Sequence, residues 1–207
     1  MNTISLQSVA LSKLNLPFKT PFKTAHGEVS SRPLIILKLT SDCNTTVYSE
    51  CSALNQPSYH PETTETAYQT LLNQLIPSVL NRPLALNTLS RELFNLSDSS
   101  PFAVASIEMG VWAMAAALSN KPLSSVLGDV TAPTPSGWVI GLSSKQTMRK
   151  MITLADSHNI QKLKFKITPQ TLVNIIELIQ SEQLCDRFPF IALDANESFD
   201  ESTIHML

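Results

Sequence analysis

Charge is scarce in this sequence: only 15% of its 207 residues are Asp, Glu, Lys or Arg, where about a quarter is usual. Together with 43% hydrophobic residues, this excludes a disordered or highly charged chain and leaves ample material for a core. Lys and Arg number 15 against 17 Asp and Glu, a net charge of −2, and no basic block occurs. Nucleic acid binding by phosphate neutralisation is therefore excluded as the main function. The three cysteines Cys43, Cys51 and Cys185 are odd in number and lack CxxC spacing, so neither a disulfide framework nor a zinc site is suggested. Residues 1–16 lack the charged start and continuous apolar stretch of a signal peptide. The longest strongly apolar segment, residues 102–118, carries Glu108 and is a little short for a membrane span. These absences lead us to expect a soluble, cytoplasmic, globular protein with no membrane partner.

Common catalytic signatures are missing as well. There is no GxGxxG, GxxxxGK[ST], HExxH or GxSxG, which removes the usual nucleotide-binding, zinc-protease and serine-hydrolase readings. His26, His60, His158 and His205 stand at no ligand spacing and read as surface or loop residues.

What is present changes character along the chain. Residues 9–16 and 33–40 are rich in Val, Ile and Leu, and turn chemistry at Asp42-Cys43-Asn44 before Thr45-Thr46-Val47-Tyr48 predicts a hairpin across 34–50. The tandem Pro17-Phe18-Lys19-Thr20 and Pro21-Phe22-Lys23-Thr24, close to Gly27, reads as a loop. From Pro61 onward, Ala67, Leu71, Leu72, Leu75 and Ile76 recur at helical spacing. Pro61 is placed for that helix's first turn and Glu62 and Glu65 near its positive end, while Pro77 and Pro83 end or interrupt it. Residues 100–118 form a second helix, apolar nearly all round, which should be buried.

After the linker-like Thr131-Ala132-Pro133-Thr134-Pro135, strands at 138–142, 162–167 and 188–193 alternate with helices at 143–158 and 172–180. A further helix is expected to start at 201–207. Short connections between such elements are the signature of βα units and a parallel sheet. The expected organisation is an α+β domain over 1–128 and an α/β domain over 129–207.

Two constellations carry chemistry. In Lys162-Leu163-Lys164-Phe165-Lys166-Ile167, strand alternation points the lysines one way and the apolar residues the other. A solvated basic face is one reading. A parallel strand is normally covered on both faces, however, and lysines on a covered face are costly unless they line a polar site. Packing ammonium groups together also weakens their hold on protons, as a basic lysine near neutral pH requires. In Phe190-Ile191-Ala192-Leu193-Asp194-Ala195-Asn196, the Asp stands where an apolar strand ends. That is the place where (β/α) barrels gather catalytic groups, and a carboxylate there suits Mg²⁺. An ordinary loop or cap Asp is the plainer alternative.

Lys164-Phe165-Lys166 and Asp194-Ala195-Asn196, with Lys166 and Asp194 28 residues apart, resemble the paired motifs of the enolase superfamily, muconate-lactonizing subgroup. Similarity to o-succinylbenzoate synthases and N-acylamino acid racemases extends along the chain. It runs through Pro21-Phe22-Lys23-Thr24 with Gly27, Glu50-Cys51, residues 57–63 with Leu75-Ile76-Pro77, and Glu108-Met109. Lys121-Pro122-Leu123 and Leu127-Gly128 complete it. The chain departs from that pattern in a hairpin without glycines, in Ala113 after Trp112, in Gln170 after Pro169, and in Val139 where close relatives carry Ser.

The resemblance implies an α+β capping domain followed by about three strands of a (β/α) TIM-type barrel. It also implies Mg²⁺ as cofactor, a small-molecule carboxylate as substrate, and removal of the proton α to that carboxylate to give a metal-stabilised enediolate. By the same carry-over Lys166 is the base, Lys164 contacts the substrate carboxylate, and Asp194 is a metal ligand. Thr24 and Tyr59 then lie in substrate-binding loops. The synthase reaction, a dehydration in menaquinone biosynthesis, is one outcome. N-acylamino acid racemisation, dipeptide epimerisation and muconate cycloisomerisation are others, and the full-length parent is compatible with a homo-oligomer. Further acidic ligands and a second lysine would lie beyond Leu207, so the chain is expected to be truncated and inactive alone. A decayed non-catalytic product or a binding module is the alternative of another class.

Overall fold

A computed structural model describes residues 3–24, 27–57, 60–128 and 134–206. Strands β1 (Thr3–Thr24), β2 (Gly27–Ser41), β3 (Thr46–Cys51) and β4 (Pro83–Ala85) form an antiparallel sheet in the order β3-β2-β1-β4. The expected hairpin pairs Ile35 with Cys51 through Thr40 with Thr46. Its turn places Asn44 at φ 62, a left-handed position that Asn tolerates, and Ser41 Oγ accepts from the Thr45 N–H at 3.1 Å.

The tandem Pro-Phe-Lys-Thr segment is strand rather than loop, because β1 runs through to Thr24. Strand β4 pairs with β1 only over Thr3–Ser5. Beyond Leu6 one side of β1 therefore has no described strand partner, and prolines that cannot donate to a ladder are tolerated there.

Helix α1 (Thr64–Thr70) starts at Thr63, whose side chain and that of Thr66 cap each other's backbone. Pro61 and Glu62 thus precede the helix rather than forming its first turn. Pro77 interrupts the helix without ending it. A π turn at Leu71–Leu75 carries the chain into α2 (Ile76–Val79), with Pro77 in its first turn, where no N–H is needed. Helix α3 (Leu89–Leu96), not foreseen, precedes α4 (Pro101–Leu118) and α5 (Leu123–Val126). Leu37, Leu39, Leu71, Leu75, Ile107 and Val111 are core members, each fully buried. Helix α4 is long and apolar enough to cross a membrane, with half of it buried inside the protein. Burial all round does not hold, since Met109 is 48% exposed. Trp112, Ala113, Tyr48, Leu123 and Leu127 join Met109 along an open cleft of about 460 Å³.

Downstream, β5 (Gly137–Ile140), β6 (Lys162–Lys166) and β7 (Phe190–Asp194) form a parallel sheet in the order β5-β6-β7. Helices α6 (Lys145–Ser157), α7 (Leu172–Ser181) and α8 (Leu184–Arg187) connect them. Met148, Ile152, Ile175 and Leu178 of the helices share a core with Leu163 and Phe165. Only a 3₁₀ turn, Ile204–Met206, follows where a helix was expected. Only one face of this parallel sheet is covered, not both as expected. The helices take the Leu163/Phe165 face, whereas Lys164, Val139 and Phe190 on the other are exposed.

Residues 1–17 with 31–131 form one compact unit, and residues 18–30 with 132–207 form the other. The β1–β2 hairpin tip thus groups with the parallel sheet rather than with the rest of residues 1–128.

Candidate active site

Alternation along β6 buries Leu163 and Phe165 and sends the three lysines to the opposite face, as the sequence requires. Parallel register then sets neighbours side by side: Val139, Lys164 and Ala192 in one row, Lys166 and Asp194 in the next. At that row the Lys166 ammonium donates to Asp194 Oδ2 at 2.7 Å, and Lys164 Nζ lies 3.6 Å from the same oxygen. Lys166 is the sheltered lysine, its side chain 12% exposed against 49% for Lys164. Lys162 instead sits over the Phe190 ring, 6.0 Å from its centroid.

The Asp-Ala-Asn turn follows from its residue types. Asp194 Oδ1 accepts from the Asn196 N–H at 3.1 Å, the short-range bond that Asp favours in turns. Asn196 and Glu197 take φ values of 45 and 61, an unusual pair of left-handed residues just past a strand end. The hydrogen bond from Lys166 holds the Asp194 carboxyl below its ordinary range. Burial opposes it with the next largest effect, and the Asn196 N–H and the charges of both lysines add smaller lowering effects. The arrangement keeps one carboxylate charged between two cationic side chains at the carboxyl end of a parallel sheet.

Asp194 is a hard oxygen donor of the kind Mg²⁺ takes, but such an ion keeps about six oxygen ligands. Among the described residues, no three His, Cys, Asp or Glu side chains cluster. The donor chemistry therefore fits Asp194 as one ligand of a set, not as a complete cage.

The hairpin tip approaches β5 within the same unit. The Leu142 N–H donates to the Lys23 carbonyl at 3.1 Å. A Cβ at Gly141 would stand 3.2 Å from both that carbonyl oxygen and the Phe22 ring. Thr20, Phe22, Val139, Thr147 and Met151 help line a cleft of about 170 Å³ there. Thr24 closes β1. Tyr59, like His26, lies outside the described residues. His60 packs edge-on against Phe102, and His158 stacks on Trp138, so neither serves as a ligand in a cluster. Glu62 serves α4 rather than the nearer α1, where its position in the sequence puts it. Its buried carboxylate accepts from the Phe102 and Ala103 N–H groups at 2.7 and 3.0 Å, capping α4 across 40 residues of chain. No local pattern signals a cap that distant.

Residues 7–128 match the model of the mandelate racemase / muconate lactonizing enzyme N-terminal domain. The chain belongs to this family. An o-succinylbenzoate synthase of Bacillus subtilis is 29% identical over 206 residues, covering 99% of this chain and 54% of the relative. An enolase-superfamily structure from Listeria innocua superposes with a TM-score of 0.85 at 24% identity, covering 98% of this chain and 54% of that one. A dipeptide epimerase of Methylococcus capsulatus, solved with Mg and a dipeptide, gives 0.81 at 18% identity, covering 98% and 57%. The chain spans about half the length of the curated relatives it matches. The family's capping domain accounts for the antiparallel sheet and its helices.

Proposed function

We propose that this chain supplies the capping unit and base-bearing strands of an o-succinylbenzoate-synthase-like enzyme acting on a small carboxylate. The observation that carries this reading is the meeting of Lys164, Lys166 and Asp194 at adjacent parallel strand ends, with Lys166 Nζ 2.7 Å from Asp194 Oδ2. The second unit then corresponds to three strands of a (β/α) barrel whose chemistry sits at the carboxyl ends, and the domains divide near 128/129. Lys166, as the free amine, takes the proton α to the substrate carboxylate. Lys164 pairs with that carboxylate, so the charge that grows as the proton leaves meets an ammonium already in place. In the synthase-type reaction Lys166 then returns the proton to the departing β-hydroxyl. Water leaves, a carbon–carbon double bond forms, and the amine is restored. Thr24 and Tyr59 contact substrate from the two capping loops.

Asp194 would hold Mg²⁺ together with oxygen donors that the described residues do not supply, and the metal's chemistry there is to stabilise negative charge on substrate oxygens. One carboxylate ligand is too few, so turnover requires further oxygen donors beside Asp194. The same base would serve racemisation or epimerisation, in which the proton returns to carbon.

The test fuses this chain to the carboxyl-terminal segment of the B. subtilis synthase, beginning after the matched stretch. The fusion should form o-succinylbenzoate in the presence of Mg²⁺, and Lys166→Ala should lower that rate by about 10²–10⁴-fold. Deuterium incorporation into an N-succinyl amino acid without o-succinylbenzoate formation would favour the racemase reaction. Full turnover in Lys166→Ala would remove it as the base.

A further inference from the structure

The open cleft of about 460 Å³ beside α4 and β3 combines two kinds of chemistry. Its base is held in place. Ser49 Oγ donates to the Ser106 carbonyl at 2.7 Å, and no side chain at Gly110 separates α4 from Leu39 and Ser49. Tyr48, Met109 and Trp112 line it with aromatic and thioether surface, and Tyr48 and Met109 stand exposed. Glu50 and Glu108 are its charged residues; among the described residues no Lys or Arg lines it. Glu108 accepts from the Ser90 hydroxyl through Oε1. Among the described residues no cation forms an ion pair with either carboxylate. Lys38 stands opposite Tyr48 in the β2–β3 ladder and forms none.

We propose that this cleft binds a small organic cation, an apolar body carrying one protonated amine. The body would lie against Met109, Trp112 and Leu127, and the ammonium would pair with Glu50 and Glu108. Aromatic faces attract a cation as well, by about 0.5–2 kcal/mol. Size agrees, because small-molecule sites occupy about 300–1,000 Å³ and are mostly apolar with a few polar groups that fix orientation. Charge selects the ligand. An anion meets two carboxylates without a cation between them, and a neutral molecule leaves both without a partner. A second copy presenting the same cleft would set like charges against each other. The cleft lies wholly within the unit of residues 1–17 and 31–131. It uses none of Lys164, Lys166 or Asp194, so the failure of either proposal leaves the other standing.

Calorimetric titration of the full 207-residue chain with 2-phenylethylamine tests the proposal. 2-Phenylethanol and 3-phenylpropionate serve beside it, close in shape but neutral and negative. The amine should saturate one site and change Trp112 emission in a Trp138→Phe background. The alcohol and the acid should bind about 10-fold more weakly or worse. Glu50→Gln changes an exposed side chain with no described hydrogen-bond or ion-pair partner, so the fold is retained and the amine should bind about threefold more weakly. Glu50→Gln combined with Glu108→Gln should abolish the preference for the amine over the alcohol. Three results would overturn the proposal: no saturation by the amine below about 10 mM, equal binding of all three probes, or a preference for the amine that survives both substitutions.

Discussion

Asp194 accepts from Lys166 at 2.7 Å and from the Asn196 backbone at 3.1 Å, and its pKa is lowered chiefly by the first of these. A carboxylate depressed in the folded state contributes stability that is present above its unfolded value, about 3.9, and lost as pH falls through the folded one. Urea titrations followed by Trp138 emission in a Trp112→Phe background should therefore show an acid limb opening below about pH 5. Lys166→Ala removes the largest cause and should flatten that limb. An unaltered limb would mean that the pair does nothing for folding. At this scale the sequence was highly informative. Alternation alone put the lysines on one face, and the strand-end position of Asp194 followed from the apolar run before it. The bond between Lys166 and Asp194 was not legible, because it depends on the register of two strands 28 residues apart.

Helix α4 shows what sequence periodicity leaves out. Glu62 caps it from a distant loop, although its position suggested service to the nearer helix. Glu62→Ala strands one buried and one half-buried donor and should cost about 1–3 kcal/mol in chemical denaturation; Glu62→Gln keeps one acceptor oxygen and should cost less. Burial is the main cause that raises the Glu62 pKa, so the sign here is opposite to that of Asp194. The folded state holds this proton more tightly, and stability declines as pH rises from about 4.3 through the raised value. The Gln variant lacks that decline. Where α4 crosses the sheet, a Cβ on Gly110 would come within 2.7 Å of the Leu39 methyl groups and 3.0 Å of Ser49 Oγ. Replacing Gly by Ala in a helix gains about 1 kcal/mol, while overpacking costs about 1–3. Gly110→Ala should therefore lower stability by up to about 2 kcal/mol. A stabilised variant would show that Leu39 yields freely. Other elements escaped the sequence for related reasons. Residues 17–24 look like a loop because of two prolines, and they form strand because one side of β1 has no described strand partner there. Helix α3 is only eight residues long, and apolar spacing over so short a run is weak evidence.

At the scale of the molecule, the change from helical spacing to strand–helix alternation near residue 130 announced two kinds of architecture, and the two hydrophobic clusters share no residue. The grouping of the hairpin tip, residues 18–30, with the second unit was invisible, since it depends on backbone contact between Lys23 and Leu142 rather than on any side-chain pattern. Each unit carries one tryptophan, Trp112 or Trp138, which gives each core its own reporter. Phe165 is fully buried at the centre of the second cluster, and truncation of such a ring costs about 3–5 kcal/mol through lost transfer energy and the cavity left behind. In Phe165→Ala the unfolding transition seen by Trp138 should fall by that amount, with the transition seen by Trp112 moving less. Excitation of the single-tryptophan variants Trp112→Phe and Trp138→Phe during urea titration separates the two signals. Equal displacement of both would show that the two cores melt as one cooperative structure.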